Sequence, residues 1–236
     1  MDANQPLIRT EGLCRTFQSA AGPVHALRDI SISIPAHGLT ILNGKSGSGK
    51  TTLLNLLGAL DAPTGGKVFF EGQELSAMKV RERDKLRRTR VGFVYQSVAL
   101  IGSMTALENV EFGLRVAGYP AAGRRERALE CLEQVGLAKR ANHLPQEMSG
   151  GEQQRVAIAR AIAHRPAAIF ADEPTAQLDS TMGLQIIAVL KDLIETQGTT
   201  IIMTTHDPDL LEIADRVFTL RDGTLLPEEE GGGTVQ

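Results

Sequence analysis

Tryptophan is absent, tyrosine occurs twice and cysteine twice in 236 residues. Aromatic bulk is therefore scarce, and alanine, leucine, isoleucine and valine must fill the interior. Apolar residues make up 42% of the chain, enough for a sizeable core. This composition suits parallel strands buried between helices. Cys14 and Cys131 stand far apart, with no CxxC or Cys/His cluster. They read as thiols of a reduced, cytosolic chain without a structural metal. Excess positive charge is also missing: the formal charge is −3, which argues against nucleic acid as the main partner. No run of 18 apolar residues occurs, and residues 1–6 lack the basic and apolar regions of a signal peptide. If the protein works at a membrane, the expectation is that another polypeptide supplies the span.

Short apolar segments alternate with helical ones along the chain. Strands are expected at Leu7–Arg9, Ile30–Ile34, Leu39–Leu42, Lys67–Phe70, Val91–Tyr95, Ala167–Ala171, Thr199–Thr204 and Val217–Leu220. Gly22-Pro23 reads as a turn, and Gly223 as another. Helices are expected over Thr51–Leu60, ended by Asp61–Gly66, and over residues 81–90, 124–135, 151–164 and 181–196. The helix at 81–90 is highly charged and reads as a solvated face, with lipid head groups or a partner as the alternative. On the helix at 124–135, Leu129, Leu132 and Val135 are expected to share the buried face, with Gly136 past its end. The alternation implies an α/β fold with a mostly parallel sheet. The helical stretch from about 97–104 to 165 interrupts it and reads as an inserted subdomain. The tail from residue 226, with Glu228-Glu229-Glu230-Gly231-Gly232-Gly233, is expected to be disordered.

Three motifs carry chemistry. Gly44-Lys45-Ser46-Gly47-Ser48-Gly49-Lys50-Thr51 fits G-x-x-x-x-G-K-[ST] between a strand and a helix. Glycines let successive N–H groups face inward, and the helix start adds partial positive charge for a phosphate. Lys50 can reach the outer phosphates, and the Thr51 hydroxyl can ligate Mg²⁺. Next, Asp172-Glu173 stands at the carboxyl end of an apolar strand, where open α/β sheets bind ligands. Asp172 would hold Mg²⁺ through water, and Glu173 would orient or deprotonate the attacking water. An acid capping the following helix is the plainer reading of that pair. Last, Ser149-Gly150-Gly151-Glu152 has capping-box spacing, and its bare N–H groups also make an anion site. One ATP would not obviously need both helix starts from the same chain.

Together with Gln96 and Thr205-His206-Asp207, and in this order, these motifs resemble the ATP-binding cassette of ABC proteins over about residues 7–225. Leu53–Leu57, Gly92–Gln96, Thr105–Val110 and Ser149–Ala161 resemble the branch serving macrolide-export, lipoprotein-release and related peptide-export systems. The resemblance implies one ATPase domain over residues 1–225. It implies a P-loop NTPase (RecA-like) core, an antiparallel β subdomain near the N-terminus and a helical insertion. It further implies ATP and Mg²⁺ as ligands, a head-to-tail homodimer, and a membrane permease as partner at the cytoplasmic face. Carried over residue by residue, Gly44–Thr52 hold the phosphates, and Ser149, Gly150, Gly151 and Glu152 complete the other copy's site. Gln96 contacts Mg²⁺ or water, His206 contacts the γ-phosphate, Asp179 stands at the dimer interface, and Phe17 stacks on adenine. Taken alone, Phe17 reads as core and His206 as a polar residue at a strand end.

Several positions depart from the family pattern. Phe17 replaces the usual tyrosine, Met148 the usual leucine, and Glu152-Gln153 shift the signature's polar residues. Ala176-Gln177 replace Gly-Asn, removing backbone freedom before Asp179. Ser97–Gly102 lacks the branch's usual pattern, so the partner surface is the least transferable part. Lys50, Asp172, Glu173 and His206 are intact, which implies an active ATPase. The reading is a transport ATPase driving a membrane protein, with export or extraction of cargo as the branch expectation. A mechanical signalling subunit and a soluble nucleic-acid or ribosome ATPase are the alternatives.

Overall fold

The computed structural model describes residues 5–20, 22–176, 178 and 180–227. The chain runs β1 (Ile8–Ser19), β2 (Gly22–Ile30), β3 (Ser33–Ile34), β4 (Leu39–Asn43), α1 (Lys50–Leu57), β5 (Gly65–Phe70), β6 (Gln73–Glu74), α2 (Val80–Arg90), β7 (Val91–Val94), α3 (Ala106–Val116), α4 (Arg124–Gln134), α5 (Gly150–Ile162), β8 (Ala168–Asp172), α6 (Ser180–Gln197), β9 (Thr200–Thr204), α7 (Pro208–Leu211), β10 (Arg216–Arg221) and β11 (Thr224–Leu225). The larger sheet has the order β11-β10-β4-β9-β8-β7. Its four pairings from β10 to β7 are parallel, and β11 turns back antiparallel on β10. The smaller sheet, β2-β1-β5-β6 with β3 on β1, is antiparallel.

Side chains alternate between the two faces of a strand, and the larger sheet is buried on both. Ile41, Ile169, Ala171, Ile201 and Met203 join one core with residues of α3, α4, α5 and α6. Leu42, Ala168, Phe170 and Ile202, one step out of phase, join a second core with α1 and the smaller sheet. The continuous apolar runs of the sequence are thus strands covered on both sides. Gly92 sets how closely α5 approaches β7: a Cβ there would lie 2.5 Å from the Ala161 carbonyl oxygen.

Some elements differ from the sequence reading. Leu7–Arg9 marks only the start of the 12-residue β1. Gly22 and Pro23 are the first residues of β2, paired with Ser19 and Gln18, rather than the turn. Ile30, Ile32 and Ile34 are buried as their alternation implies, but they divide between the end of β2, a linker and β3. Helix α1 stops at Leu57, before Asp61, because Gly58 caps it and Ala59 takes a left-handed φ of 59°. On α4 the buried face is Arg127, Ala128, Cys131 and Leu132, continued by Val135, while Leu129 is exposed. Arg127 donates to the Ala163 carbonyl at 2.9 Å, which anchors the end of α5 and turns Leu129 outward. Burial pushes the Cys131 thiol up to about 11, leaving it an inert packing group. Gly136 does follow α4 in left-handed geometry, with φ 71°. Helix α2 buries only Leu86, in keeping with a solvated face. The tail from Glu228 lies outside the described residues.

Replacing Gly92 with alanine should force α5 off β7. The expected loss is about 1–3 kcal/mol, the range for overpacking. Urea unfolding measures it, and a loss below about 0.5 kcal/mol, ordinary surface noise, would contradict the close approach.

Candidate active site

The glycine loop leaves the carboxyl end of β4, between β10 and β9. It needs backbone angles that only glycine adopts without strain: Gly44, Gly47 and Gly49 have φ of 144°, 78° and 105°. Two of them also admit no Cβ. At Gly44 it would collide with the Leu220 carbonyl oxygen and Ser48 Oγ, and at Gly49 it would lie 2.7 Å from the Ala26 carbonyl oxygen. Gly47 faces open space. The loop is further tied by Gly44 N–H to Asn43 Oδ1 at 2.7 Å, Ser48 N–H to Lys45 O at 3.1 Å, and Gly223 N–H to Ser48 O at 3.1 Å. Gly49 caps α1 without a side-chain cap bond, so the first-turn N–H groups remain for a ligand.

Two side chains here suit an anion. Lys50 is 6% exposed, and its ammonium donates to the carbonyls of Gly44 (2.7 Å) and Lys45 (3.1 Å). A buried cation held only by carbonyls is a strong attractor of phosphate. Ser48 Oγ is buried with no hydrogen-bond partner among the described residues.

Strand β8 brings the carboxylates to the same cleft. Thr51 Oγ1 donates to the Asp172 carboxylate, 3.1 and 3.2 Å from its two oxygens. Among the described residues no three His, Cys, Asp or Glu side chains gather as a metal cage. A lone hydroxyl and carboxylate fit Mg²⁺, which takes few protein ligands and completes its shell with phosphate oxygens and water. Glu173, the next residue, has a left-handed φ of 43°. Its Oε1 lies 3.6 Å from His206 Nδ1 beyond the end of β9.

Lys50, Thr51, Thr52, Gln96, Asp172 and Glu173 share a cleft of about 570 Å³, with Val24 to Arg28 on one wall and Asp222-Gly223 on another. His206 and Glu173 share an adjoining hollow of about 330 Å³. Phe17 is not core: it is 40% exposed on β1, opposite Val24 at the rim of the cleft. The Arg15 guanidinium lies 4.4 Å from its ring centroid and is held by Asp61 at 2.8 Å.

Ser149 starts α5 and lines neither hollow. The capping box is present: Ser149 Oγ accepts from Glu152 N–H at 3.2 Å, and Glu152 Oε2 accepts from Ser149 N–H at 2.8 Å. That second bond is the main reason the Glu152 carboxyl sits below its usual range, with Arg140 adding to it. Gly150 is exposed, and a Cβ on it would meet nothing within 4 Å. Gly151 is pressed against Met182 of α6, which leaves no room for a side chain. Asp179 and Gln177 lie outside the described residues. The sequence reading missed Asn43, Arg15, the Ala26 and Gly223 walls, and Thr204. A threonine closing the apolar run of β9 was the available signal for the last.

A family model described as ABC transporter matches residues 27–176. The chain belongs to the ABC transporter ATP-binding family. An uncharacterised ABC transporter ATP-binding protein of Methanocaldococcus jannaschii, MJ1508, is 43% identical over 220 residues, covering 93% of this chain and 98% of that protein. The macrolide export ATP-binding/permease protein MacB of Agrobacterium fabrum is 43% identical over 225 residues, covering 95% of this chain but 35% of MacB. The MacB of Brucella melitensis is 44% identical over 226 residues, covering 96% of this chain and again 35% of its own. The chain thus spans about a third of the length of these MacB relatives. The cassette MJ0796, solved as a dimer in a post-hydrolysis state with ADP and Pi, superposes with a TM-score of 0.87. It is 39% identical, and the match covers 93% of this chain and 97% of MJ0796. The RecA-like core, antiparallel sheet and helical insertion implied by the ABC resemblance are therefore the fold of this chain.

The open Gly47 and the crowded Gly49 should respond differently to alanine. Gly47→Ala meets only backbone strain, about 1–2 kcal/mol. It should weaken nucleotide binding by roughly tenfold, the equivalent of about 1.4 kcal/mol. Gly49→Ala adds the clash with Ala26 and should abolish measurable binding. Titration with a fluorescent ATP analogue separates them, and equal effects would refute the steric argument.

Proposed function

We propose that this chain binds and hydrolyses ATP as one of two head-to-tail copies, and that the pair drives a membrane permease from its cytoplasmic face. The observation that carries the proposal is the Thr51–Asp172 pair at the mouth of a glycine loop with a buried, carbonyl-held Lys50. Thr51, Asp172 and Gln96 would hold Mg²⁺, and the ion would supply positive charge to offset that developing on the phosphates. The chain's own residues supply the rest. Gly44 to Thr52 and Lys50 hold the phosphates in line. Glu173 accepts a proton from the attacking water, Gln96 positions that water and the metal, and His206 orients the γ-phosphate. Phe17 stacks on adenine, its other face backed by Arg15.

The dimer accounts for the second helix start. Ser149, Gly150 and Gly151 line no part of the cleft that holds Lys50 and Asp172, so this helix start, with Ser149 and Gly150 exposed, suits a triphosphate carried by the other copy, with Glu152 fixing the cap. Asp179 would meet that interface. The dimeric MJ0796 cassette supports this arrangement. The MacB relatives, named as ATP-binding/permease proteins for macrolide export, support a transport role with export of cargo. No helix among the described residues is long and apolar enough to cross a membrane, and the permease would supply that span.

Glu173→Gln tests the assignment. It keeps the shape but removes the base, and general-base loss costs roughly 10²–10⁴ in rate. ATP binding should persist, turnover should fall by roughly that factor, and gel filtration with ATP should show a dimer that the unaltered protein forms only transiently. Near-normal turnover would remove Glu173 from the role, and a monomer under ATP would remove the composite site.

A further inference from the structure

The residue that ties the Asp172 side chain to the Glu173 backbone is Thr204. It ends β9 beside Asp172 of β8, in a strand whose other members are Thr200, Ile201, Ile202 and Met203. All five are buried, and Thr204 is 0% exposed. A hydroxyl in such a place is costly unless hydrogen-bonded, and valine has the same shape without it. The Thr204 hydroxyl is fully used. It donates to Asp172 Oδ1 at 2.7 Å and accepts from the Glu173 N–H at 2.9 Å.

Both bonds end on groups whose direction matters. Asp172 Oδ1 also receives the Thr51 hydroxyl. The Thr51 hydroxyl lies almost equally near Oδ2, at 3.2 Å, so the Thr204 bond to Oδ1 is what fixes the plane of the carboxylate. Glu173 holds a φ of 43°, which is strained in a residue other than glycine and persists only when surroundings enforce it. An acceptor on its N–H is such an enforcement. It joins the turn bond from Ala176 N–H to Glu173 O at 3.2 Å.

We infer that Thr204 is a positioning residue of the ATPase site, whose single hydroxyl fixes the metal-side carboxylate and the backbone of the proposed base at once. Being 0% exposed, it acts through those two groups. This inference rests on the proposed roles of Asp172 and Glu173, and its two arms are read separately.

The test compares Thr204→Val with Thr204→Ser. Mn²⁺ affinity in the presence of a non-hydrolysable ATP analogue, followed by electron paramagnetic resonance, reads the Asp172 arm without turnover. The kcat reads the Glu173 arm, and KM for ATP at saturating metal serves as the contrast. Outer partners of a metal site typically affect affinity or rate by about 10–100-fold. Thr204→Val should therefore weaken Mn²⁺ roughly tenfold and lower kcat similarly, with KM within about twofold. Thr204→Ser should retain most of both. If the valine variant fails to fold, Thr204→Ala takes its place against serine. Wild-type Mn²⁺ affinity and kcat in the valine variant would overturn the inference. So would equal losses in valine and serine, which would make the residue a packing element. A normal kcat in Glu173→Gln alongside weakened Mn²⁺ in Thr204→Val would instead fault the assigned base and leave the Asp172 arm standing.

Discussion

The site depends on two carbonyl oxygens that come too close for any side chain. Leu220 O occupies the place of a Cβ on Gly44, and Ala26 O crowds the place of a Cβ on Gly49. One carbonyl belongs to β10 of the parallel sheet and the other to β2 of the antiparallel sheet. The phosphate loop is therefore clamped between the two sheets, and its curl is set from both sides. Gly223 makes the same junction, receiving Arg28 N–H on its carbonyl and giving its own N–H to Ser48 O. The small sheet does more than decorate the core: it fixes the height of the N–H groups that a phosphate would meet.

A second constraint concerns the adjacent acids. Consecutive residues on a strand point to opposite faces, so Asp172 and Glu173 could not both serve one cleft if β8 simply continued. The strand ends at Asp172, and the left-handed Glu173 turns its side chain back to the same side. The strain is local, and it is held by neighbours on β9. This links the burial of a strand end to the placing of Glu173, through the threonine that closes β9.

How much of this was legible depended on whether one face or two were buried. The doubly covered strands β4, β8 and β9 appear in the sequence as apolar runs, and they were located to within one residue, together with the acids and glycines at their ends. Strand β1 was largely invisible because its sheet leaves one side to solvent. Glu11, Arg15, Thr16 and Gln18 dilute its pattern, and the pairing shifts register near Arg15. Helix α4 failed for a different reason. Counting only apolar residues favoured Leu129, yet the inward stripe runs through Arg127, whose buried stem carries a guanidinium that anchors the end of α5. Thr204 was hidden because its partners are 32 and 31 residues away in sequence, a relation that only strand order supplies.

The start of α5 is the part of the proposed site that the dimer would complete. An acidic residue in the first turn offsets the helix dipole, and Glu152 does so while its carboxylate binds Ser149 N–H. Alone, that would weaken an anion site. Arg140 lies 3.2 Å from the other oxygen of Glu152 and returns the charge balance toward zero. The Ser149 hydroxyl spends its acceptor on Glu152 N–H but keeps its proton to give. Gly150 adds a surface clear of side chains, and Gly151 is held from beneath by α6. The exposed part of this helix start is the Ser149 hydroxyl and Gly150, and its own chain's phosphate loop lines a different hollow. In the proposed dimer, the ligand matched to this helix start is the one that the glycine loop of the second copy would carry.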